Sequence, residues 1–203
     1  MKKIAIAFVC MIMAVGTAMA QKQFTFGPKI GVDYTHYWGK NVEHGGQLNY
    51  QAGLFMEYRF TNKFSVAPEV VFAAQGGKYD AKGDIFGVGV EYKETDHVNY
   101  INVPVMLKYY VIPELSIDFG PQVGFNVYSK NTLEAKIASE SGKKTTDMKD
   151  YTKSVDFGLG LGLTYNIAKD VFVQGRYTMG LTKVFDGPEG KNGNAQIAIG
   201  YRF

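Results

Sequence analysis

The chain has 203 residues, enough for one domain, and its 14 tyrosines, 14 phenylalanines and 24 glycines against 6 prolines favour β structure. Once Lys2 and Lys3 are assigned to a leader, 20 basic and 19 acidic side chains remain, a balance that gives no support for nucleic-acid binding. The one cysteine, Cys10, also lies in the leader, which excludes a disulfide, a thiolate nucleophile and a cysteine-based metal site from the mature chain.

The first 20 residues have the pattern of a secretory signal peptide. Lys2-Lys3 precedes an apolar run from Ile4 to Val15, and Ala18-Met19-Ala20 follows as a small-residue cleavage site. The apolar run is shorter than the roughly 20 residues that a membrane-spanning helix needs. The sequence therefore predicts a cleaved signal peptide, residues 1–20, followed by a single domain, residues 21–203.

Eight later segments alternate apolar and polar residues with a period of two, as β-strands with two different faces do. They are residues 24–34, 50–60, 64–74, 100–111, 115–127, 155–166, 171–182 and 194–203. Each has the length that a tilted membrane strand needs, and tight turns after the second, fourth and sixth alternate with longer connections. The pattern predicts an all-β fold, an eight-stranded antiparallel up-and-down transmembrane β-barrel.

The last segment is predicted to close the barrel. Its apolar face ends in Tyr201 and Phe203, whereas Arg202 lies on the polar face. A terminal strand that ends on an aromatic residue is typical of bacterial outer-membrane barrels. We expect Tyr201 and Phe203 to form a C-terminal assembly signal that the barrel-assembly machinery recognises.

Four prolines fall inside predicted strands: Pro28, Pro68, Pro104 and Pro121. Each removes one hydrogen-bond donor from the ladder, and a closed barrel has no edge strand to accommodate it. We therefore expect β-bulges or locally broken pairing at these positions.

The same alternation also fits a soluble eight-stranded barrel with its apolar faces inward. Three features favour the membrane barrel, with apolar faces outward: glycines crowd the polar faces, aromatic residues recur near the ends of the apolar faces, and all tight turns fall at one end. The predicted location is the bacterial outer membrane, with outer-membrane lipid around the barrel.

On this interpretation ten charged side chains point into the lumen. The basic ones are Lys29, Arg59, Lys108, Arg176 and Arg202, and the acidic ones are Asp33, Glu57, Glu69, Asp118 and Asp156. Because eight strands enclose a lumen just wide enough for side chains, a balanced set predicts a packed ion-pair network that seals it. A selective pore is the alternative, although a pore usually has one sign of charge in excess.

Two motifs lie in the first and fourth predicted strands: Gly27-Pro28-Lys29-Ile30-Gly31-Val32-Asp33-Tyr34 and Tyr100-Ile101-Asn102-Val103-Pro104-Val105-Met106-Leu107-Lys108-Tyr109. Both resemble the PorT-like outer-membrane β-barrel family of Bacteroidota, small barrels of the OmpX/OmpA kind. The resemblance implies the same fold and location. It also implies, more weakly, a role in protein secretion, because the namesake of the family is tied to that process.

Catalytic or metal chemistry has little support in the sequence. His36, His44 and His97 fall in predicted outer loops, where His36 and His44 accompany Asp33 and Glu43, but nothing in the spacing makes them converge as metal ligands do. No nucleophile-elbow motif occurs. We predict no cofactor, no metal and no enzyme activity, with a lipid-modifying hydrolase as the alternative.

Two outer segments are candidates for surface contacts. Residues 84–92 include Ile85, Phe86, Val88 and Val90, which predict either an extension of the neighbouring strands or an exposed edge for an envelope partner. Residues 129–150 are rich in lysine, glutamate, serine and threonine and are expected to be mobile and solvated. The predicted function is a sealed barrel that acts through these loops in surface interaction or envelope integrity; the alternative is a subunit of a secretion or surface-assembly machine.

Overall fold

The computed structural model describes residues 23–39, 45–85, 88–137, 140–185 and 190–203. The predicted leader, residues 1–20, lies outside these ranges, so its cleavage stays a prediction. Ten strands are present: β1 Phe24–Trp38, β2 Gln47–Arg59, β3 Phe64–Gln75, β4 Lys78–Ile85, β5 Val88–Ile112, β6 Leu115–Ile137, β7 Glu140–Asp147, β8 Val155–Asn166, β9 Val171–Lys183 and β10 Lys191–Tyr201. A 3₁₀ turn, Lys149–Tyr151, precedes β8. Among the described residues, no helix is long and apolar enough to cross a membrane.

Eight of these strands form a closed antiparallel ring. The hydrogen-bonded order is β5-β3-β2-β1-β10-β9-β8-β6, and β6 pairs again with β5. Among these pairings, β1 joins β10, the first strand of the chain to the last, with Lys29 opposite Gly200 and Trp38 opposite Lys191. The predicted eight-stranded up-and-down barrel is therefore confirmed.

The two ends of the barrel differ. At one, which we call the turn end, residues 60–63, 113–114 and 167–170 connect neighbouring strands. At the other, the hairpin end, β5 and β6 run on for 25 and 23 residues, against 12 or 13 for β2, β3, β8 and β9. The extensions pair with each other and with β4 and β7, so that a four-stranded sheet, β4-β5-β6-β7, stands beyond the ring. We call this the protruding sheet.

The protruding sheet changes two loop predictions. Residues 84–92 extend the neighbouring strands as β4 and β5, although Phe86 lies outside the described residues. The expectation of a loop over 129–150 is wrong, because β6 continues to Ile137 and the chain returns as β7, whereas the expected solvation is seen at residues 141–147, which are exposed. Its lysines, glutamates and threonines alternate along a paired ladder instead of lying in an irregular loop.

The strand prolines do not shift the register. The ladders are interrupted beside Pro68, Pro104 and Pro121, but the pairing resumes in the same register on either side. Pro28 lies opposite Leu54, and the β1–β10 ladder begins only at the next residue. The predicted bulges are therefore wrong, whereas the predicted broken pairing is confirmed beside three of the four prolines. The register shifts that do occur lie between Asn99 and Tyr100, Tyr110 and Ile112, and Lys191 and Gly193.

The two faces of the ring reverse the usual arrangement of a soluble protein. Leu54 is 64% exposed and Leu161 59%, whereas the lumen-facing Lys29 and Asp33 are 2% and 0% exposed. An outward apolar surface needs lipid around it. Aromatic pairs such as Phe64 with Tyr109 and Tyr50 with Phe72 lie outside the lumen near opposite ends of the ring. The structure thus has the outside-apolar arrangement and not that of a soluble barrel.

Candidate functional site: the charged lumen

The first part of the site is a bidentate ion pair that crosses the lumen. Arg176 on β9 places Nη2 2.6 Å from Glu69 Oε1 and Nη1 3.0 Å from Glu69 Oε2. Lys29 on β1 places its Nζ 2.5 Å from the same Oε2. All three side chains are at most 3% exposed. One carboxylate from β3 therefore links strands on opposite sides of the ring.

The second part centres on Glu57 and Asp118. Lys108 Nζ lies 3.5 Å from Glu57 Oε2 and 3.8 Å from Asp118 Oδ2. Arg202 approaches Glu57 from the closing strand, with Nη2 3.7 Å from Oε2. Because both carboxylates share Lys108, these charges act as one group.

Neutral side chains complete the network. Gln174 joins its two parts, because its Oε1 accepts from Lys29 at 3.0 Å and its Nε2 donates to Asp118 at 3.3 Å. The hydroxyls of Ser116 and Thr164 donate to Asp118 at 2.6 and 2.5 Å, and those of Ser65 and Tyr110 donate to Glu57. Buried carboxylates are stable when their lone pairs are used in this way. The predicted lumen set contains only charged side chains and therefore omits these neutral residues, although most of them lie on the polar faces of the predicted strands.

Three of the ten predicted lumen charges lie at the margin of this network or outside it. Arg59 reaches Glu57 at 3.8 Å, but 37% of its side chain is exposed at the turn end. Asp156 forms no ion pair within the described ranges, and it accepts hydrogen bonds from Thr182 at 2.5 Å and Asn192 at 3.1 Å. Asp33 is fully buried and also lacks an ion pair among the residues described.

Glycine on the lumen face makes room for large side chains. A Cβ on Gly200 would lie 2.2 Å from the ring of Phe172, and one on Gly160 would lie 3.2 Å from Met106. Phe172 in turn lies under Lys108 and Arg202, at 5.7 and 4.7 Å from its ring centroid. The glycines therefore make room in the lumen for Phe172 from the adjacent strand β9 and for Met106 from β5.

An apolar cluster lies inside the ring at the hairpin end. Tyr37 on β1 packs with Val98 and Tyr100 on β5 and with Val184 after β9, and all four are at most 6% exposed. Phe185 meets Tyr37 edge-on at 5.7 Å between ring centroids. We call this cluster the apolar cap. Alternation along the chain does not reveal it, because Tyr37, Val98 and Val184 lie outside the eight predicted strands.

The two predicted loop histidines that the structure describes, His36 and His97, do not converge. His36 lies on β1 beside the outward-facing rings of Tyr34 and Tyr177, on the opposite face from Asp33. His97 is exposed on β5, and Glu43 and His44 lie outside the described residues. Within the part of the chain that the structure describes, no group of three or more histidines, cysteines and acids could hold a metal ion.

The C-terminal residues alternate between the outside of the barrel and the lumen, as the sequence pattern predicts. Phe203 and Tyr201 are 67% and 45% exposed on the outside of the turn end, with ring centroids 5.2 Å apart. Phe203 also contacts Phe26 at 5.4 Å, and its backbone N–H donates to the Phe26 carbonyl at 2.8 Å. Arg202, between them, points into the lumen.

Comparison with known proteins gives the family. Residues 19–186 match the family described as the outer membrane protein beta-barrel domain. A comparison with curated proteins gave no match.

Solved structures with a similar fold include Ail, the attachment invasion locus protein of Yersinia pestis, at 14% identity and a TM-score of 0.49, over 89% of this chain and 99% of that one. Neisserial surface protein A has 10% identity and a TM-score of 0.44, over 89% and 97%. CarO of Acinetobacter baumannii has 11% identity and a TM-score of 0.38, over 86% and 97%. Because these TM-scores are below 0.5 and the identities are low, the three structures add no support to the family match. Because that match spans most of the sequence, the chain belongs to the outer membrane protein beta-barrel domain family and is a protein of the bacterial outer membrane.

Proposed function

We propose that this protein is a non-enzymatic surface-interaction protein, in which a sealed barrel anchors the protruding sheet outside the cell. The observation that carries the proposal is the pair of terminal strands, β4 and β7, at the two ends of the hydrogen-bonded order. Unpaired strand edges are templates for an added strand from a partner. Among the residues that the structure describes, one bridge, from Gly45 to Lys78, covers the base of the β4 edge, and β7 is the more open of the two.

The surface of the protruding sheet supports a polar partner. Cross-strand neighbours alternate in sign, with Lys93 opposite Glu134 and Glu134 opposite Lys143. These residues border a shallow depression of about 330 Å³. This surface matches an extended peptide that pairs with the sheet edge as an added strand and forms ion pairs with the charged side chains of this face.

The lumen network and the apolar cap support the sealed barrel. Together they place buried side chains inside the ring from Arg202 near the turn end to Val184 at the hairpin end. The protein reconstituted in planar bilayers should give no single-channel conductance. Stable ion-conducting steps would show an open pore instead.

Photo-crosslinking in living cells tests the edge. A crosslinking side chain at Thr145, on β7, should give discrete protein adducts, whereas one at Leu161, on the outward face of β8, should give lipid adducts only. If the crosslinking side chain at Thr145 gives no protein adducts, the surface-interaction role is refuted. Adducts dominated by envelope-assembly proteins would favour the secretion role that the PorT-like resemblance implies. The PorT-like resemblance remains part of the proposal. So do the recognition of Tyr201 and Phe203 by the barrel-assembly machinery and the presence of lipid around the barrel.

A further inference from the structure

A cavity of about 630 Å³ opens on the outside of the ring, near the hairpin end. The β2–β3 ladder ends at the pair Gln51–Ala73, but β3 remains paired with β5 as far as Gln75. Toward the hairpin end β2 and β3 therefore separate, and the small side chain of Ala74 leaves the space between them open. The volume is within the usual range of small-molecule sites.

The cavity has an apolar side and a polar side. It is lined by Leu48, Asn49, Tyr50, Ala74, His97, Asn99 and Tyr128. Leu48 and Tyr50 on β2 and Tyr128 on β6 are exposed apolar or aromatic side chains. His97 and Asn99 contribute an imidazole and an amide from β5. None of the lining residues is acidic.

Lys130 adds a positive charge beside the polar side of the cavity. It is the cross-strand partner of His97, so the two side chains leave the sheet on the same face. The Lys130 Nζ lies 5.1 Å from the centroid of the Tyr128 ring, which lines the cavity. Asp96 is buried on the opposite face of β5, and Asp147 lies across from Lys130 on β7, on the side away from the cavity. The cavity edge is therefore basic.

A β-bulge places Tyr128 in this position. The β5–β6 register shifts between Asn99 and Tyr100, which leaves Val127 on β6 without a partner. Val127 and Tyr128 are in consequence both exposed on the outside of the barrel. Bulges redirect side chains in this way. With strict alternation Tyr128 would point into the lumen, and the cavity would lose one wall.

The cavity lies where the outer surface of the barrel changes from apolar to polar. On β5, Ile101 is an exposed apolar residue, and the next outward residues toward the protruding sheet are Asn99 and His97. Tyr50 and Phe72 form an aromatic pair at this level, with ring centroids 6.5 Å apart. Aromatic side chains concentrate at the level of the lipid headgroups. The polar side of the cavity thus faces the headgroups, and its apolar side faces the acyl chains.

We propose that this cavity binds the phosphate-bearing headgroup of a lipid from the outer leaflet of the membrane. The ring N–H of His97, the ammonium of Lys130 and the amide of Asn99 are donors that suit a phosphate. Leu48 and Tyr50 contact the acyl chains of the same molecule. The inference takes the hairpin end to face outward, as the proposed function does, but it does not depend on a partner of β7.

The test is native mass spectrometry of the full mature chain in a neutral detergent. The added lipid is lipid A with one phosphate, or the same lipid A without phosphate. The phosphorylated lipid should form a 1:1 complex with an apparent affinity about 10-fold higher, because it alone engages the charged donors. Inorganic phosphate should displace it no more than KCl of equal ionic strength does, because inorganic phosphate lacks the acyl chains.

His97→Gln and Lys130→Gln should each weaken the complex several-fold, and the double variant should bind both lipids equally. Lys63→Gln is the matched control and should change nothing, because it removes the same charge from an exposed lysine at the turn end. Ala74→Leu fills the cavity and keeps both donors, and it should also lose the complex. Fast migration on gels without boiling identifies the folded protein in each case.

Four results would overturn the proposal. They are equal retention of the two lipids by the wild type, displacement by inorganic phosphate beyond the effect of KCl, an undiminished complex in the double variant, and an equal loss in Lys63→Gln. The first would show that the apolar surface alone holds lipid, and the second that the site takes free phosphate. Crosslinking at Thr145 tests the surface-interaction role separately, so the two proposals can fail independently.

Discussion

Glu69 in the lumen and Glu134 on the protruding sheet are the same carboxylate in two opposite surroundings. Glu69 lies 2.5 Å from Lys29, with the two side chains 3% and 1% exposed, and Glu134 lies 2.9 Å from Lys143, with the two side chains 42% and 65% exposed. Water screens the outer pair, so its net contribution to stability is small. In the lumen each partner depends on the other, because neither charge is stable there alone.

The two regions also differ in what surrounds the ion pair. Glu69 has Arg176 as a second cation, and Gln174 ties Lys29 to Asp118. Beside Glu134, the other lysine that acts on it is Lys93, across the strand. The distance between the charged atoms therefore does not by itself determine how much an ion pair contributes to the stability of this protein. Burial and the number of additional hydrogen bonds do.

The largest expected effect comes from Glu69→Gln. The amide keeps the shape but leaves the buried cations Lys29 and Arg176 without the carboxylate that they share, which should lower the free energy of unfolding by about 3–5 kcal/mol. Urea unfolding in micelles measures this value, with folded protein identified by its fast migration on gels without boiling. A loss below about 1 kcal/mol, the range of an exposed pair, would show that water reaches the lumen network.

A smaller effect is expected where the two regions join. Gly76 lies between β3 and β4 with φ +146°, and a Cβ there would lie 1.9 Å from the carbonyl oxygen of Asp96. Gly76→Ala should cost about 1–3 kcal/mol of local strain and loosen the base of the β4–β5 hairpin.

Limited proteolysis should then cut this hairpin faster, while the gel migration of the barrel stays unchanged. Gly83→Ala, on β4, is the control, because a Cβ there meets nothing within 4 Å. If Gly76→Ala instead unfolded the ring, the protruding sheet and the barrel would form one cooperative unit.

The smallest effect is expected for Glu134→Gln. The hydrogen bond and the charge of Lys143 lower the pKa of Glu134, so the pair stabilises the folded state at neutral pH and loses this contribution as acid protonates the carboxylate. Because both side chains are exposed, the unfolding midpoint in urea should not change measurably. A shift as large as that of Glu69→Gln would mean that the sheet face is covered, for instance by a second copy of the chain.

Periodicity predicted most of the barrel, because a strand places alternate side chains on opposite faces whatever its neighbours are. Nine of the ten predicted lumen charges are at most 8% exposed, and Arg59 is the exception. The prediction failed at residues 129–150, where β7 pairs with β6. Its polar residues on both faces resemble a solvated loop, and the ladder that orders them is not encoded in the local pattern.

The sequence by itself determined the strands, their inward and outward faces and the residues available to the lumen, since all of these follow from local alternation. Only the tertiary structure decided which charges meet. Lys29 and Arg176 reach Glu69 across 40 and 107 residues of chain, and closure of the ring brings them together. Closure likewise gave Asp156 its two donors, Thr182 and Asn192, a contact that depends on distances across the barrel and on no pattern along the chain.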